Sequence, residues 1–300
     1  MKTLQLARMR ARYIDRGTGP AVLLVHCSSA SHRQWSFLAD NLASRYRVVA
    51  PDLLGYGGSS PWPEAGGAVV DNDLDLLVKL IDTIGEPVHV VAHSYGAAAC
   101  LEAARVKAAI GGDAIASLCL VEPVAFHLLK ADEEQTDWRT ISRVAHLCMD
   151  GVAAGSRRRA ANAYMGFWLG PLKWRLAPRR FRREVMRTVH KVAAEFRGMF
   201  DIGLSPADYA GISCPVTLVQ GTRSPQPALR VVDLLAEILG EARTETIENA
   251  GHMSPFTHRS EIARIVEHHL HRAAKRQPEC PEAKLPTDTL STRHKCANYG

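Results

Sequence analysis

No apolar run in the chain is long enough to cross a bilayer: the longest, such as Ala21 to Val25 and Pro87 to Ala92, stop far short of about 18 residues. The N-terminal stretch carries Lys2, Arg8, Arg10 and Arg12 with no apolar core behind them, which predicts no cleaved secretory leader and a cytoplasmic location. Cysteine pairs are also missing. The seven cysteines (27, 100, 119, 148, 214, 280 and 296) are odd in number and none forms C-x-x-C, so zinc ribbons and disulfide scaffolds are poor descriptions. Cys100, Cys119 and Cys214 lie in apolar stretches, as buried thiols acting as small hydrophobes would. No His, Cys or acidic cluster has ligand spacing, so no metal site is expected.

What is present is an ordinary globular balance. The 300 residues are 46% apolar and 23% charged, enough for a large core and too apolar for a disordered chain. The net charge of +6 is concentrated between Val124 and Ser205, where 15 basic residues face 8 acidic ones, together with nine of the nineteen aromatics. Such a segment can bind nucleic acid, an anionic substrate or a lipid surface. A solvated helix face explains it more simply, and no nucleic-acid partner is expected.

Short apolar runs alternate with helical patterns, the mark of βαβ units and a mostly parallel sheet. The strands predicted are Ala21 to His26, Tyr46 to Ala50, Pro87 to Val91, Ser117 to Val121, Pro215 to Gln220 and Thr244 to Ile247. Nearly all are unbroken apolar runs, as strands covered on both faces require. Helical spacing marks Leu74 to Ile84, Ala97 to Val106, Leu229 to Ile238 and a last helix through Ile262, Ile265, Val266 and Leu270. Residues 124–205 break the alternation. Phe181, Val185, Val189, Val192 and Phe196 form an apolar stripe among arginines, which reads as a helical insertion between two strands. The domains expected are a core of 1–123 and 206–275, a cap of 124–205 and a disordered tail of 276–300, Pro-rich and poor in large apolar residues.

The chemistry concentrates in Val90-Val91-Ala92-His93-Ser94-Tyr95-Gly96 followed by Ala97-Ala98-Ala99. A buried strand turns into a small-residue helix through a serine, with a small residue two places before it and a glycine two places after. A sharp strand-to-helix turn strains its central residue and leaves no room for bulk at those flanks. It also sets Ser94 at a helix N-terminus, which favours a developing anion.

With this elbow, the chain resembles an α/β-hydrolase from about Tyr13 to Leu270. Leu23-Leu24-Val25-His26-Cys27-Ser28-Ser29 matches the loop after the family's third strand, with Cys27 where glycine is usual. Pro51-Asp52-Leu53-Leu54-Gly55-Tyr56-Gly57-Gly58-Ser59 matches the next turn, and Ala250-Gly251-His252-Met253 the late histidine loop. The resemblance implies a mostly parallel sheet with helices on both faces and a helical cap after the sixth strand. It also implies Ser94 as nucleophile, His252 as general base, and the backbone amides of Tyr95 and Ser28 as the oxyanion hole. The family's usual acid position, the loop Gly221-Thr222-Arg223-Ser224-Pro225-Gln226-Pro227, holds no Asp or Glu. Some relatives place the acid after the sixth strand, which here ends in Glu122, so Glu122 is the expected third member rather than Asp233. His93, Trp35, Cys27 and Met253 are expected in the substrate pocket. His26 is expected to fix its loop, Asp52 to serve its turn, and His268 and His269 to face solvent.

The expected substrate is a small or medium apolar carboxylic ester, hydrolysed without a cofactor. Carbon–carbon bond hydrolysis, cofactor-free perhydrolase or haloperoxidase chemistry, and a non-catalytic receptor remain alternatives on the same fold. A serine at position 94 argues against epoxide hydrolysis and haloalkane dehalogenation, which need a carboxylate nucleophile.

Overall fold

A computed structural model describes residues 1–62, 69–132 and 136–276. Eight strands form one sheet: β1 (Lys2–Gln5), β2 (Arg10–Arg16), β3 (Ala21–Val25), β4 (Arg47–Pro51), β5 (Val88–His93), β6 (Ile115–Val121), β7 (Val216–Gly221) and β8 (Arg243–Ile247). Their order across the sheet is β1-β2-β4-β3-β5-β6-β7-β8. From β4 to β8 the pairings are parallel, while β2 runs antiparallel to both β1 and β4.

The strand period of two divides the core between the faces. Leu23, Val25, Val90, Leu118 and Leu218 point to one apolar cluster, Val22, Leu24, Val91, Cys119 and Val219 to the other. The first is covered by α2 (Val69–Ile84), α3 (Tyr95–Ala109) and α8 (Gln226–Ile238), the second by α1 (Ser36–Leu42) and α10 (Arg259–Arg276). A one-turn helix, α9 (Ser254–Thr257), precedes α10.

Between β6 and β7 lie four helices: α4 (Thr136–Ala153), α5 (Arg157–Leu169), α6 (Pro171–Leu176) and α7 (Arg179–Asp201). The apolar stripe expected on α7 is buried at Val185, Val189, Val192 and Phe196. α7 packs on α2, α4 and α5, and α4 also meets α8. The insertion is therefore joined to the sheet layer on two sides.

Two expectations change. The antiparallel strands β1 and β2, not among the expected strands, carry no apolar run, because only Leu4, Ala11 and Tyr13 among their residues turn inward; β1 lies at the sheet edge. β8 forms where a strand is expected, and is polar and mostly exposed at the other edge of the sheet. His269 does not face solvent: it is 1% exposed, with Nδ1 at 2.8 Å from Thr217 Oγ1 and Nε2 at 2.8 Å from Ser117 Oγ. His268 is exposed. The expected disordered tail lies, from residue 277 on, outside the described residues. Among those described, no helix is long and apolar enough to cross a membrane, and no group of three or more His, Cys, Asp or Glu is placed to hold a metal ion.

Candidate active site

β5 passes into α3 at Ser94, whose φ of 57° and ψ of −124° lie outside the favoured regions for an L-residue. Two restraints hold the turn. The Ser94 amide donates to the Val121 carbonyl at 2.9 Å, and a Cβ on Gly96 would lie 2.2 Å from the His26 carbonyl oxygen. Position 96 therefore admits only glycine, the physical content of the elbow spacing.

From this turn Ser94 Oγ lies 2.8 Å from His252 Nε2, and His252 Nδ1 lies 2.7 Å from Glu122 Oε2. A carboxylate only accepts, so Nδ1 carries the proton and Nε2 accepts from the serine. All three residues are buried. Glu122 directly follows β6 at a φ of 43°. Its Oε1 accepts from the Gly221 amide at 3.0 Å and from Ser224 Oγ at 2.5 Å. The loop after β7, which has no acid of its own, thus supplies two donors to an acid from the neighbouring strand. Asp233 is exposed on α8.

A hydroxyl held on an imidazole whose other nitrogen is bound to a carboxylate can transfer its proton as it attacks an electrophile, and the carboxylate stabilises the imidazolium that forms. One more group touches the imidazole. The Trp168 ring of α5 stacks on His252 with centroids 3.5 Å apart and planes 18° apart, a geometry that favours a cationic ring.

A narrow cavity of about 20 Å³ adjoins Ser94. Ser28, Tyr95 and Glu195 form its polar side, and the insertion supplies an apolar wall that includes Phe126, Tyr164, Trp168, Phe196 and Met199. The Tyr95 amide belongs to the first turn of α3, whose N–H groups lack intrahelical acceptors. Ser28 lies on the β3 loop. Cys27 occupies the usual glycine place without positive φ, because the left-handed residue of that loop is Ser29, at 57°.

The four residues expected to line the pocket do not line this cavity. Trp35 is wholly buried in the core on the opposite face of the sheet. His93 lies beneath the elbow: its Nε2 donates to the His252 carbonyl at 2.8 Å and its Nδ1 accepts from Gln34 Nε2 at 3.1 Å. Burial lowers its pKa well below the ordinary histidine value. Cys27 is buried, and burial, with the Glu195 charge adding to it, raises its thiol pKa well above normal. Met253 sits just beyond His252, where its carbonyl accepts from the Phe256 amide at 2.9 Å. Of the four, His93 directly precedes Ser94 along β5, and successive residues of a strand point to opposite faces.

His26 fixes two loops together, with Nδ1 donating to the Cys27 carbonyl at 2.7 Å and Nε2 accepting from the Leu53 amide at 2.9 Å. Burial pulls its pKa down to about 4. Asp52 organises its turn by accepting from the His32 amide at 2.8 Å and the Gly58 amide at 2.7 Å.

Residues 22–265 match the alpha/beta hydrolase family. The chain belongs to that family. An alpha/beta hydrolase from Sphaerobacter thermophilus shares the fold of this chain with a TM-score of 0.70 at 24% identity, over 90% of this chain and 100% of that one. A thermophilic esterase from Thermogutta terrifontis does so with a TM-score of 0.70 at 20% identity, over 91% and 99%. In sequence, the chain is 36% identical over 123 residues to the dihydrolipoyllysine-residue acetyltransferase component of the acetoin cleaving system of Cupriavidus necator; the match takes in 39% of this chain and 30% of that protein. The chain thus spans less than a third of that relative's length.

Proposed function

We propose that this hydrolase cleaves small or medium apolar carboxylic esters through an acyl-enzyme on Ser94. The carrying observation is the continuous hydrogen-bonded chain from Ser94 Oγ through His252 to Glu122, at 2.8 and 2.7 Å. Ser94 Oγ attacks the ester carbonyl while His252 Nε2 takes its proton, and the amides of Tyr95 and Ser28 receive the negative oxygen. Collapse expels the alcohol, protonated by His252, and leaves the acyl group on Ser94. Water then adds with His252 again as base, and the acid departs. Glu122 keeps Nδ1 protonated and balances the imidazolium. No cofactor enters any step.

Substrate preference belongs, in this reading, to a cap of residues 124–205 set on a core of 1–123 and 206–275. The apolar wall favours an apolar acyl group, and the free space of about 20 Å³ beside Ser94 keeps that group short. Glu195 on the same lining disfavours a substrate carboxylate there. Rates for p-nitrophenyl esters of increasing chain length, run beside a panel of diketones, test the assignment. A maximum at short to medium esters supports it; faster cleavage of a diketone would make carbon–carbon hydrolysis the reaction.

A further inference from the structure

The proposed chemistry leaves a buried charged cluster beside the site without a task. Lys191, on α7, has no exposed side-chain surface, and its Nζ lies 2.8 Å from Asp73 Oδ2 and 3.2 Å from Glu195 Oε1. It also sits over the Tyr56 ring, 4.2 Å from the centroid. Two buried carboxylates share one ammonium. This is a costly way merely to hold a helix down, because apolar residues of similar volume do so at least as well.

The rest of the bonding gives the cluster a direction. Tyr95 Oη donates to Asp73 Oδ2 at 2.9 Å, and Ser28 Oγ donates to Glu195 Oε2 at 2.5 Å. Ser28 and Tyr95 are the two residues whose amides the proposed mechanism points at the oxyanion. They come from separate segments, the β3 loop and the start of α3. Each is tied by its own side-chain hydroxyl to one carboxylate, and Lys191 joins the carboxylates. Two further contacts fit this arrangement. Thr188 Oγ1, one turn before Lys191, lies 2.8 Å from Ser29 Oγ on the same loop. A Cβ on Gly55 would sit 2.8 Å from Lys191 Cδ, so glycine there leaves the lysine its place.

We propose that Lys191, acting through Asp73 and Glu195, sets the spacing of the Ser28 and Tyr95 amides and is a positioning residue for the oxyanion hole, which couples the insertion to catalysis. The proposal rests on the acyl-enzyme reading. An oxyanion hole works because its donors stand in place before the charge develops, and misplacement on the ångström scale is enough to slow a reaction severely.

The test compares Lys191→Met in the wild-type background with Lys191→Met in Ser28→Ala/Tyr95→Phe. With p-nitrophenyl butyrate, loosening both donors without removing them lowers kcat about tenfold to a hundredfold, within the loss from deleting one donor outright, and leaves KM within about twofold. A trifluoromethyl ketone, whose carbonyl oxygen becomes anionic when Ser94 adds, loses affinity by the same factor. Where the two hydroxyls are already gone, Lys191→Met changes kcat by no more than about twofold, because its route to the amides has been cut. An equal loss in both backgrounds, or a change in KM alone, overturns the proposal. If Lys191→Met does not fold, Ser28→Ala and Tyr95→Phe carry the test: each lowers kcat and ketone affinity in parallel, and intact kcat in both overturns the proposal. Fluorophosphonate labelling of the wild type scores the nucleophile separately. An inert wild type defeats both readings; an active, labelled wild type indifferent to Lys191→Met defeats the positioning role alone.

Discussion

Glu122→Gln perturbs the site in a direction set by its neighbours. Glu122 Oε1 accepts two bonds, from the Gly221 amide and the Ser224 hydroxyl, while Oε2 accepts one, from His252 Nδ1. A glutamine in the same rotamer keeps its carbonyl oxygen on the side with two donors, since the opposite flip would set its NH₂ against the Gly221 N–H. Its NH₂ then faces His252 Nδ1 and favours the tautomer with the proton on Nε2. That nitrogen can no longer take the Ser94 proton. Loss of the correct tautomer in a triad costs about four orders of magnitude in turnover, and kcat should fall on that scale. Stability should change little, because shape and two of the three hydrogen bonds survive; a difference of about 1 kcal/mol would move the melting temperature by about 2–4 °C in a chain of this size class. Steady-state ester hydrolysis and thermal unfolding of the same preparations give both numbers. Asp233→Asn, on the exposed face of α8, serves as the control and should stay within about 0.5 kcal/mol and near wild-type rate. A Glu122→Gln enzyme within tenfold of wild type would refute the tautomer argument.

Three further outcomes follow from the same geometry. Ser224→Ala, which deletes one of the three donors on Glu122, should lower kcat by about tenfold, on the order of a charge-assisted hydrogen bond, with KM unchanged; an equal loss in a Glu122→Gln background would show that it acts elsewhere. Trp168→Leu should cost about fivefold to thirtyfold in kcat/KM, matching about 1–2 kcal/mol of ring–cation attraction, and Trp168→Phe should recover part of it; equal rates for Leu and Phe would count against stacking on His252. Stability in urea should rise with pH between about 4 and 6.5. Burial holds His26 and His127 down to about 4 and His269 to about 3, so the unfolded chain binds protons there that the folded one does not. Each contributes about 2 kcal/mol to the loss between pH 7.5 and 5, and His269→Gln should reduce that loss by this amount.

Most of the fold was legible because its parallel strands are buried on both faces and therefore read as unbroken apolar runs. β1 and β2 were hard to read for the converse reason, since they bury few side chains and keep their charges outside. The elbow was legible through a steric fact, the 2.2 Å clearance at Gly96, which leaves a mark at one sequence position. Glu122 was reached through the acid-free loop after β7; the donors of Ser224 and Gly221 that complete its shell leave no local pattern. The Asp73, Lys191 and Glu195 cluster was invisible for a stronger reason. Ser28 meets Glu195 across 167 residues and Lys191 meets Asp73 across 118, and a lysine and a glutamate four apart on a helix look like a solvated pair until α2 and the β3 loop close over them. Trp168 read only as one aromatic among nine in its segment, because nothing in α5 indicates which face meets His252.

The central claim, a nucleophilic serine at the β5–α3 turn, is tested most directly by mass spectrometry of the protein after reaction with a fluorophosphonate. The account predicts one adduct per chain, on the peptide containing Ser94, absent from Ser94→Ala and formed far more slowly in His252→Ala, with ester hydrolysis lost in step. An adduct on another serine such as Ser28, or ester hydrolysis that persists in Ser94→Ala, would contradict it.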